Sequence, residues 1–212
     1  MGKLLFVLLG ITLQAQEEKN FVAALGGFAI LSGDAQTEFS QGAVASSYAS
    51  KDGAAYNLAA GRHFNNWLSV QGNYIWNRNE VTLNGVSGNA FYSATNQSRQ
   101  HQFVFDGLLY FRPLSSRIRP YLSTGIAAVR ASREQTTLRS SGTIAAPTRE
   151  RSFWVPGLRV AVGIDLMLSN RWGFRYSFSE TLSPNLFSES LVPAGRKNLM
   201  NFHHLFGVVK YF

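Results

Sequence analysis

The sequence predicts an all-β fold: an eight-stranded antiparallel up-and-down transmembrane β-barrel, preceded by a cleavable signal peptide. Residues 198–212 alternate with a period of two and end on Phe212, which is typical of a β-strand. Aromatic residues stand on both of its faces, so left alone it would be an exposed sheet edge. Pairing with the first strand removes that edge and closes a barrel, one of two backbone arrangements that can cross a bilayer.

The composition fits strands rather than helices. The chain has 19 Gly, 16 Phe and 8 Tyr against 6 Pro, and its mean hydropathy is only −0.06. Beyond residue 15 no apolar run reaches the roughly 18 residues of a membrane helix. At roughly 25 residues for each strand and its connection, residues 16–212 suffice for one barrel domain of about eight strands. The absence of Cys excludes a disulfide framework, thiolate catalysis and a Cys-based metal site.

Residues 1–15 have the layout of a secretory signal peptide. Lys3 precedes an apolar run at 4–13, and Ala15 supplies a small residue at the predicted cleavage point. The run is too short to cross a bilayer. A buried N-terminal helix is the alternative, but the change to polar residues at 17–20 disfavours it. Cleavage would remove Lys3 and lower the formal charge from +8 to +7.

Eight segments alternate between apolar and polar residues as barrel strands do. The third is the clearest, because Tyr74 alternates with Gln71 and Asn73. The fifth is ambiguous, and we favour Leu122 and Ile126 on its outward face. The predicted strands are 20–32, 54–64, 67–77, 100–112, 120–131, 152–168, 172–181 and 198–212.

Polar side chains on the inward faces are expected to fill the lumen, because about eight strands leave room only for side chains. The sequence therefore predicts no wide pore. The three-residue turn at 169–171 sets Asp165 opposite Arg175, with Cβ atoms about 5 Å apart, and we predict an ion pair there. The expected polar lumen network comprises Asp106, Arg159, Asp165, Arg175, Gln71 and Asn73.

Long and short connections alternate along the predicted barrel. Short turns follow the second, fourth and sixth strands, and the other connections are long, as in transmembrane barrels with short periplasmic turns and long extracellular loops. Trp67 and Trp172 each start a strand just past a short turn, where an aromatic belt is expected. The long loops are predicted at 33–53, 82–99, 132–151 and 182–197.

The predicted loop 132–151 is strongly charged. Extracellular arginines can make bidentate, charge-assisted contacts with the phosphates of lipid A. A solvated connection without a ligand is the alternative, and the sequence leaves both open. The arginines of this loop are Arg133, Arg139, Arg149 and Arg151.

The last residues carry a family resemblance. Phe206, Val208 and Phe212 alternate on one face, and this ending resembles the C-terminal assembly signature of bacterial outer-membrane β-barrels. Lys210 stands where that signature usually has an apolar residue, and at the rim its ammonium can reach the lipid headgroups. Together with the strand pattern, the ending makes the chain similar to the small OmpA/OmpX-like outer-membrane barrels over nearly all of residues 16–212.

The resemblance implies an integral protein of the Gram-negative outer membrane, with a role in envelope integrity, adhesion or surface interaction. Its implied partners are outer-membrane lipids, lipopolysaccharide and the barrel-assembly machinery, and a monomer without a cofactor is expected. The basic residues are spread over the chain, which argues against nucleic-acid binding. A soluble lipocalin-like barrel and a narrow solute channel are alternatives.

An enzyme that modifies lipid A is a further alternative. A deacylase needs a Ser activated by a His, with an acidic side chain, near the lipid-facing rim. No His-X-Ser arrangement occurs, so we expect a non-enzymatic barrel with one of two adjacent histidines in the lumen and the other near the interface. His63 and His101 are too far from them in sequence to suggest a metal site. The weighed catalytic candidates are His203, His204, Ser177, Ser179 and Glu180.

Overall fold

A computed structural model describes residues 20–32, 44–87, 89–142, 150–187 and 198–212 of the chain. The predicted signal peptide lies outside these ranges. Within them, no helix is long and apolar enough to span a membrane. The strands of the described part are β1 (Asn20–Ser32), β2 (Val44–Ser50), β3 (Gly53–His63), β4 (Leu68–Ser87), β5 (Ala90–Tyr110), β6 (Ile118–Ser141), β7 (Glu150–Met167), β8 (Trp172–Pro184) and β9 (Asn198–Tyr211).

The strands close into a ring with eight wall positions, and neighbouring strands are antiparallel. β1 pairs with β9, from Phe21 opposite Tyr211 to Ser32 opposite Met200, so the predicted closure of the last strand on the first is confirmed. β2 and β3 both pair with β4 and together occupy one position in the wall. The predicted eight-stranded up-and-down barrel is therefore the observed fold.

The β4–β5 hairpin extends much further than the sequence predicts. Ladder pairing continues up to Ser87 opposite Ala90, so the prediction of a loop at 82–99 is wrong. The outward residues of this part are mostly polar, and the apolar outward alternation of the lower strands is absent. Ladder hydrogen bonds to the neighbouring strand hold the backbone extended instead.

The predicted loops at 132–151 and 33–53 also contain strand, and these predictions are wrong for the same reason. β6 continues to Ser141 and β7 begins at Glu150. β2 occupies part of the other predicted loop. The remaining strand ends lie within a few residues of their predicted positions, and β1 matches at both ends.

The outer wall carries an apolar band, and residues of the opposite parity are buried in the lumen. On β6, Leu122 and Ile126 are exposed whereas Ser123 and Ala127 are buried, which confirms the favoured facing of this ambiguous strand. Apolar side chains outside and packed side chains inside are what a lipid-embedded barrel requires.

One end of the barrel has short turns and holds both Asn20 and Phe212. These two residues exchange backbone hydrogen bonds of 3.0 and 2.9 Å. In the turn between β3 and β4, the side-chain oxygen of Asn65 accepts from the backbone N–H of Trp67 at 2.8 Å, which stabilises the tight reversal. Trp67 and Trp172 lie on the outer wall at this end, 47% and 46% exposed.

Candidate functional site: the filled lumen

The lumen near the short-turn end holds a buried ion pair between adjacent strands. β7 and β8 pair with Asp165 directly opposite Arg175, the register that the sequence predicts. Arg175 donates from Nε to Asp165 Oδ1 at 2.6 Å and from Nη2 to Oδ2 at 2.8 Å. The arginine side chain is 2% exposed and the carboxylate 0%. The pair is therefore bidentate and shielded from bulk water, and removing either partner would leave the other charge buried.

Aromatic residues complete the contacts of this ion pair. Asp165 Oδ2 also accepts from the hydroxyls of Tyr110 and Tyr211, both at 3.0 Å. The guanidinium carbon of Arg175 lies 5.1 Å from the centres of two further aromatic rings. The Asp165 carboxylate accepts four hydrogen bonds, and the Arg175 guanidinium lies against aromatic faces, so both charges are stabilised without bulk water.

A second ion pair lies further into the lumen and is joined to the first. Asp106 accepts from the guanidinium of Arg159 and from the amide of Asn73, the latter at 3.0 Å. Gln71 connects the two pairs. Its amide nitrogen donates to Asp106 Oδ2 at 3.3 Å, and its carbonyl oxygen accepts from Arg175 Nη1 at 3.0 Å. The structure thus places all six residues of the expected lumen network in one connected cluster.

Sequence reasoning missed several members of this cluster. Arg119 is predicted to end the turn 113–119, but it lies in β6 and its buried guanidinium stands 4.1 Å from the ring centre of Tyr110. His63 is buried beside the same group, with its ring 5.0 Å from that of Phe21. Each of these residues has inward parity next to a short turn. For His63 this parity was available, because the residue lies within the predicted strand 54–64. For Arg119 it becomes visible only once β6 is known to begin at Ile118.

Beyond the ion pairs, the lumen is filled first by amide side chains and then by an apolar cluster. Asn201 donates to Gln100 at 2.8 Å, and Thr181 donates to Gln102 at 3.0 Å. The apolar cluster near the long-strand end draws partly on segments that the sequence predicts as loops. It consists of Leu31, Tyr48, Val81, Leu83, Tyr92, Ala131, Phe187 and Leu199.

The four arginines predicted for an extracellular loop do not share one environment. Arg133 is buried and faces the lumen from β6, so its prediction as an exposed loop residue is wrong, because β6 continues through it at inward parity. Arg139 is exposed near the end of β6. Arg151 belongs to the backbone of β7, opposite Arg133, and Arg149 lies outside the described residues.

The residues of the C-terminal signature lie on the outward face of β9. Phe206, Val208 and Phe212 are each about half exposed. The ammonium of Lys210 lies 5.4 Å from the ring centre of Trp172 and 5.9 Å from that of Phe212. Cation–π contacts with these rings therefore stabilise the one charged residue that departs from the signature. The roles of these residues in assembly and in an aromatic belt stay predictions.

The adjacent histidines face opposite sides of β9. His203 is fully buried in the lumen, where its Nε2 lies 3.5 Å from the side-chain nitrogen of Gln102. His204 lies on the outer side, 3.0 Å from the hydroxyl of Tyr176. Ser179 is opposite His203 but is also fully buried, so this Ser and His do not reach the lipid-facing surface. In the described ranges, no group of three or more His, Asp or Glu could hold a metal ion.

A closed ring of strands with an apolar outside and ion pairs sealed inside defines a transmembrane β-barrel. Residues 4–208 match the family described as outer membrane protein beta-barrel domain. The chain therefore belongs to that family and is a protein of the outer membrane. No curated protein matches its sequence.

Solved outer-membrane barrels are similar in fold at low sequence identity. Ail, the attachment invasion locus protein of Yersinia pestis, is 11% identical with a TM-score of 0.52, over 93% of this chain and 100% of that one. Neisserial surface protein A is 14% identical with a TM-score of 0.51, over 91% and 97%. OprG from Pseudomonas aeruginosa is 13% identical with a TM-score of 0.51, over 91% and 95%. At these identities the likeness supports the fold alone.

Proposed function

We propose that the protein is a closed barrel that acts in surface interaction, through a sheet raised beyond the membrane. The main support for this proposal is that β4, β5 and β6 extend well beyond the apolar band of the outer wall. Their outward residues change from apolar to polar at the row formed by Trp76, His101 and Arg130. Each strand continues for 11 residues beyond that row, since β4 ends at residue 87, β5 starts at 90 and β6 ends at 141. At about 3.3 Å per residue, this is roughly 35 Å of strand.

The raised sheet consists of the upper parts of β4, β5 and β6 together with β2. β4 pairs with β5 as far as Ser87 opposite Ala90, and β5 pairs with β6 as far as Phe91 opposite Ser141. Exposed polar residues held on a rigid scaffold are a common location for binding functions. Because short turns face the periplasm in such barrels, the sheet would stand outside the cell.

Neither passage through the lumen nor catalysis is favoured by the side chains inside the barrel. The two ion pairs, the amide layer and the apolar cluster occupy successive levels of the lumen. The Ser and His that a deacylase would need are buried among them. Assembly by the barrel-assembly machinery and a monomeric state stay predictions.

We expect no large, steady porin-like conductance when the purified barrel is reconstituted in planar bilayers. An eight-stranded ring leaves an interior that side chains fill, and here Arg159 and Arg175 are each paired with a carboxylate inside it. A known porin reconstituted in the same bilayers serves as the positive control. Conductance of porin size from the folded protein would contradict the closed lumen.

Shortening the raised hairpin is expected to abolish surface binding while the barrel still folds. Val81 pairs with Asn96, so residues 82–95 can be replaced by a two-residue hairpin turn without changing the register below. Adhesion of cells that display the protein would be measured on cultured host cells and on heparin-coated surfaces. Heparin is the first probe because Ail was solved with a heparin analogue.

The shortened variant is informative only if it reaches the outer membrane at the level of the intact protein. A heat-modifiable band on a gel checks that its barrel is folded. We expect its adhesion to fall to that of cells lacking the protein. Undiminished adhesion at equal surface levels would contradict a role of the raised sheet.

A further inference from the structure

Three arginines lie together on the outer wall where the apolar band ends. Arg78 on β4 and Arg99 on β5 are direct cross-strand partners, which places their Cβ atoms about 5 Å apart. Arg130 on β6 is the partner of His101 and is therefore diagonal to Arg99. All three arginine side chains are exposed. They form a basic cluster at the boundary between lipid-facing and polar wall.

Neighbouring side chains compensate the positive charge of this cluster only in part. Arg78 donates from Nε to the side-chain oxygen of Gln97 at 2.9 Å. Arg99 approaches Glu134 at 3.4 Å, and both side chains of that pair are about half exposed. Glu80 is paired with a lysine of the β2–β3 connection. Like charges directly opposite on a sheet repel, so an anion between Arg78 and Arg99 would relieve this repulsion.

An apolar groove lies directly below the basic cluster on the same wall. Its volume is about 660 Å³. Small residues leave the space, among them Ala60, Gly72 and Ala128, and the rings of Phe103 and Phe105 border it. Gly72 pairs with Phe105, and the rows of the groove follow the arginine rows along the same strands. The groove therefore runs from the basic cluster into the lipid-facing band.

We propose that this wall binds the lipid A portion of lipopolysaccharide, with a phosphate on the arginines and an acyl chain in the groove. Guanidinium groups make short, bidentate hydrogen bonds to phosphate oxygens and stay charged at physiological pH. The groove can hold an acyl chain of lipid A, because it is apolar and opens towards lipid. The long-strand end of such barrels faces outward, where lipid A is the phosphorylated lipid. The proposal rests on the outer-membrane location and not on adhesion by the raised sheet.

The arginines are tested by titrating the folded protein in detergent micelles with bisphosphorylated lipid A, followed by native mass spectrometry. Replacing Arg78, Arg99 and Arg130 together with Gln is expected to weaken binding roughly tenfold or more, since each lost contact is charge-assisted. Unchanged binding, or equal weakening in the control variant, would overturn the proposal. That control makes the same change at three exposed arginines of the short-turn end: Arg112, Arg117 and Arg171.

Filling the groove tests the acyl-chain half of the proposal. An added Cβ at Gly72 or at Gly107 meets no atom within 4 Å, so a larger side chain fits at either position without moving the backbone. Gly72 lines the groove and Gly107 does not. Gly72→Leu is expected to weaken lipid A binding roughly fivefold or more, because the acyl chain loses apolar contact. The matched Gly107→Leu should bind as the unmodified protein, and equal loss in both would overturn the proposal.

Three other probes separate the sources of the phosphate. Dephosphorylated lipid A should bind weakly and should not distinguish the arginine variant from the unmodified protein. Inorganic phosphate and phosphatidylglycerol should both bind more weakly than lipid A. Phosphatidylglycerol binding as tight as that of lipid A would overturn the assignment to lipid A. The same arginine variant is also tested for adhesion, so that loss of lipid binding with retained adhesion separates this site from the raised sheet.

Discussion

Replacing Asp165 with Asn, or Arg175 with Gln, is expected to lower the free energy of unfolding by about 3 to 5 kcal/mol. The reason is that each change strands the opposite charge in a lumen where both side chains are almost fully buried. Truncating Arg175 also removes the donor that Gln71 accepts from. The measurement is equilibrium unfolding of the refolded barrel in lipid vesicles or detergent.

A double-mutant cycle isolates the contribution of the pair itself. If the two side chains interact as the register indicates, the double variant should be less destabilised than the sum of the single variants. The exposed pair of Arg99 and Glu134 is a matched control, and its loss should cost about 1 kcal/mol or less. Additive single effects at Asp165 and Arg175 would show that they do not interact, against the observed geometry.

Replacing Gly27 with Val is expected to prevent most of the protein from closing its barrel. Gly27 pairs with Leu205 across the seam between β1 and β9. A Cβ added there would overlap the backbone oxygen of His204, so the strands would have to move apart. The cost should exceed the roughly 1 to 3 kcal/mol of ordinary overpacking, because backbone cannot rotate away as a side chain can.

The neighbouring glycine supplies the control for this prediction. At Gly26 the nearest atoms to an added Cβ belong to the ring of Tyr56, at 3.6 Å, which is an ordinary contact. Gly26→Val should therefore fold, whereas Gly27→Val should show little of the heat-modifiable, compact band on a gel. Equal folding of the two variants would argue against close approach at the seam.

Much of the fold could be predicted because lipid and lumen impose opposite demands on alternate residues. On β8, Phe174 and Tyr176 face outward while Arg175 is buried. A slip of one residue would reverse all of these positions. That constraint, with a three-residue turn, was enough to predict Asp165 opposite Arg175.

The raised sheet could not be predicted in the same way, because above the membrane the outward face contacts water instead of lipid. There the alternation is inverted: Leu83 and Tyr92 point into the lumen, whereas Asn84 and Ser93 are not buried. Asn, Ser and Thr are also frequent in loops, so composition favoured loops at 82–99. The inverted alternation was the available signal, and it becomes informative only when the strands below are known to continue.

The candidate site shows the same division. The sequence alone determined which polar residues turn inward, because no strand can place Asp106, Arg159 or Gln71 against lipid without a large desolvation cost. Apart from Asp165 and Arg175, which a three-residue turn sets opposite each other, it could not determine which buried polar residues meet. Gln71 and Arg175 are 104 residues apart, and only ring closure brings them within a hydrogen bond.

What the sequence by itself determined is the need to close the barrel and the facing of the wall strands apart from the ambiguous fifth, since both follow from local alternation in a lipid solvent. The tertiary structure alone decided how Asp106, Arg159 and Gln71 join the predicted Asp165–Arg175 pair. It also decided that Arg119 faces the lumen and that the basic cluster and the groove lie on one wall. These features depend on the register of every strand pair, because the shifts of successive strands add up around the ring. Local alternation has a period of two and therefore fixes facing, but it does not fix how far one strand is displaced along its neighbour.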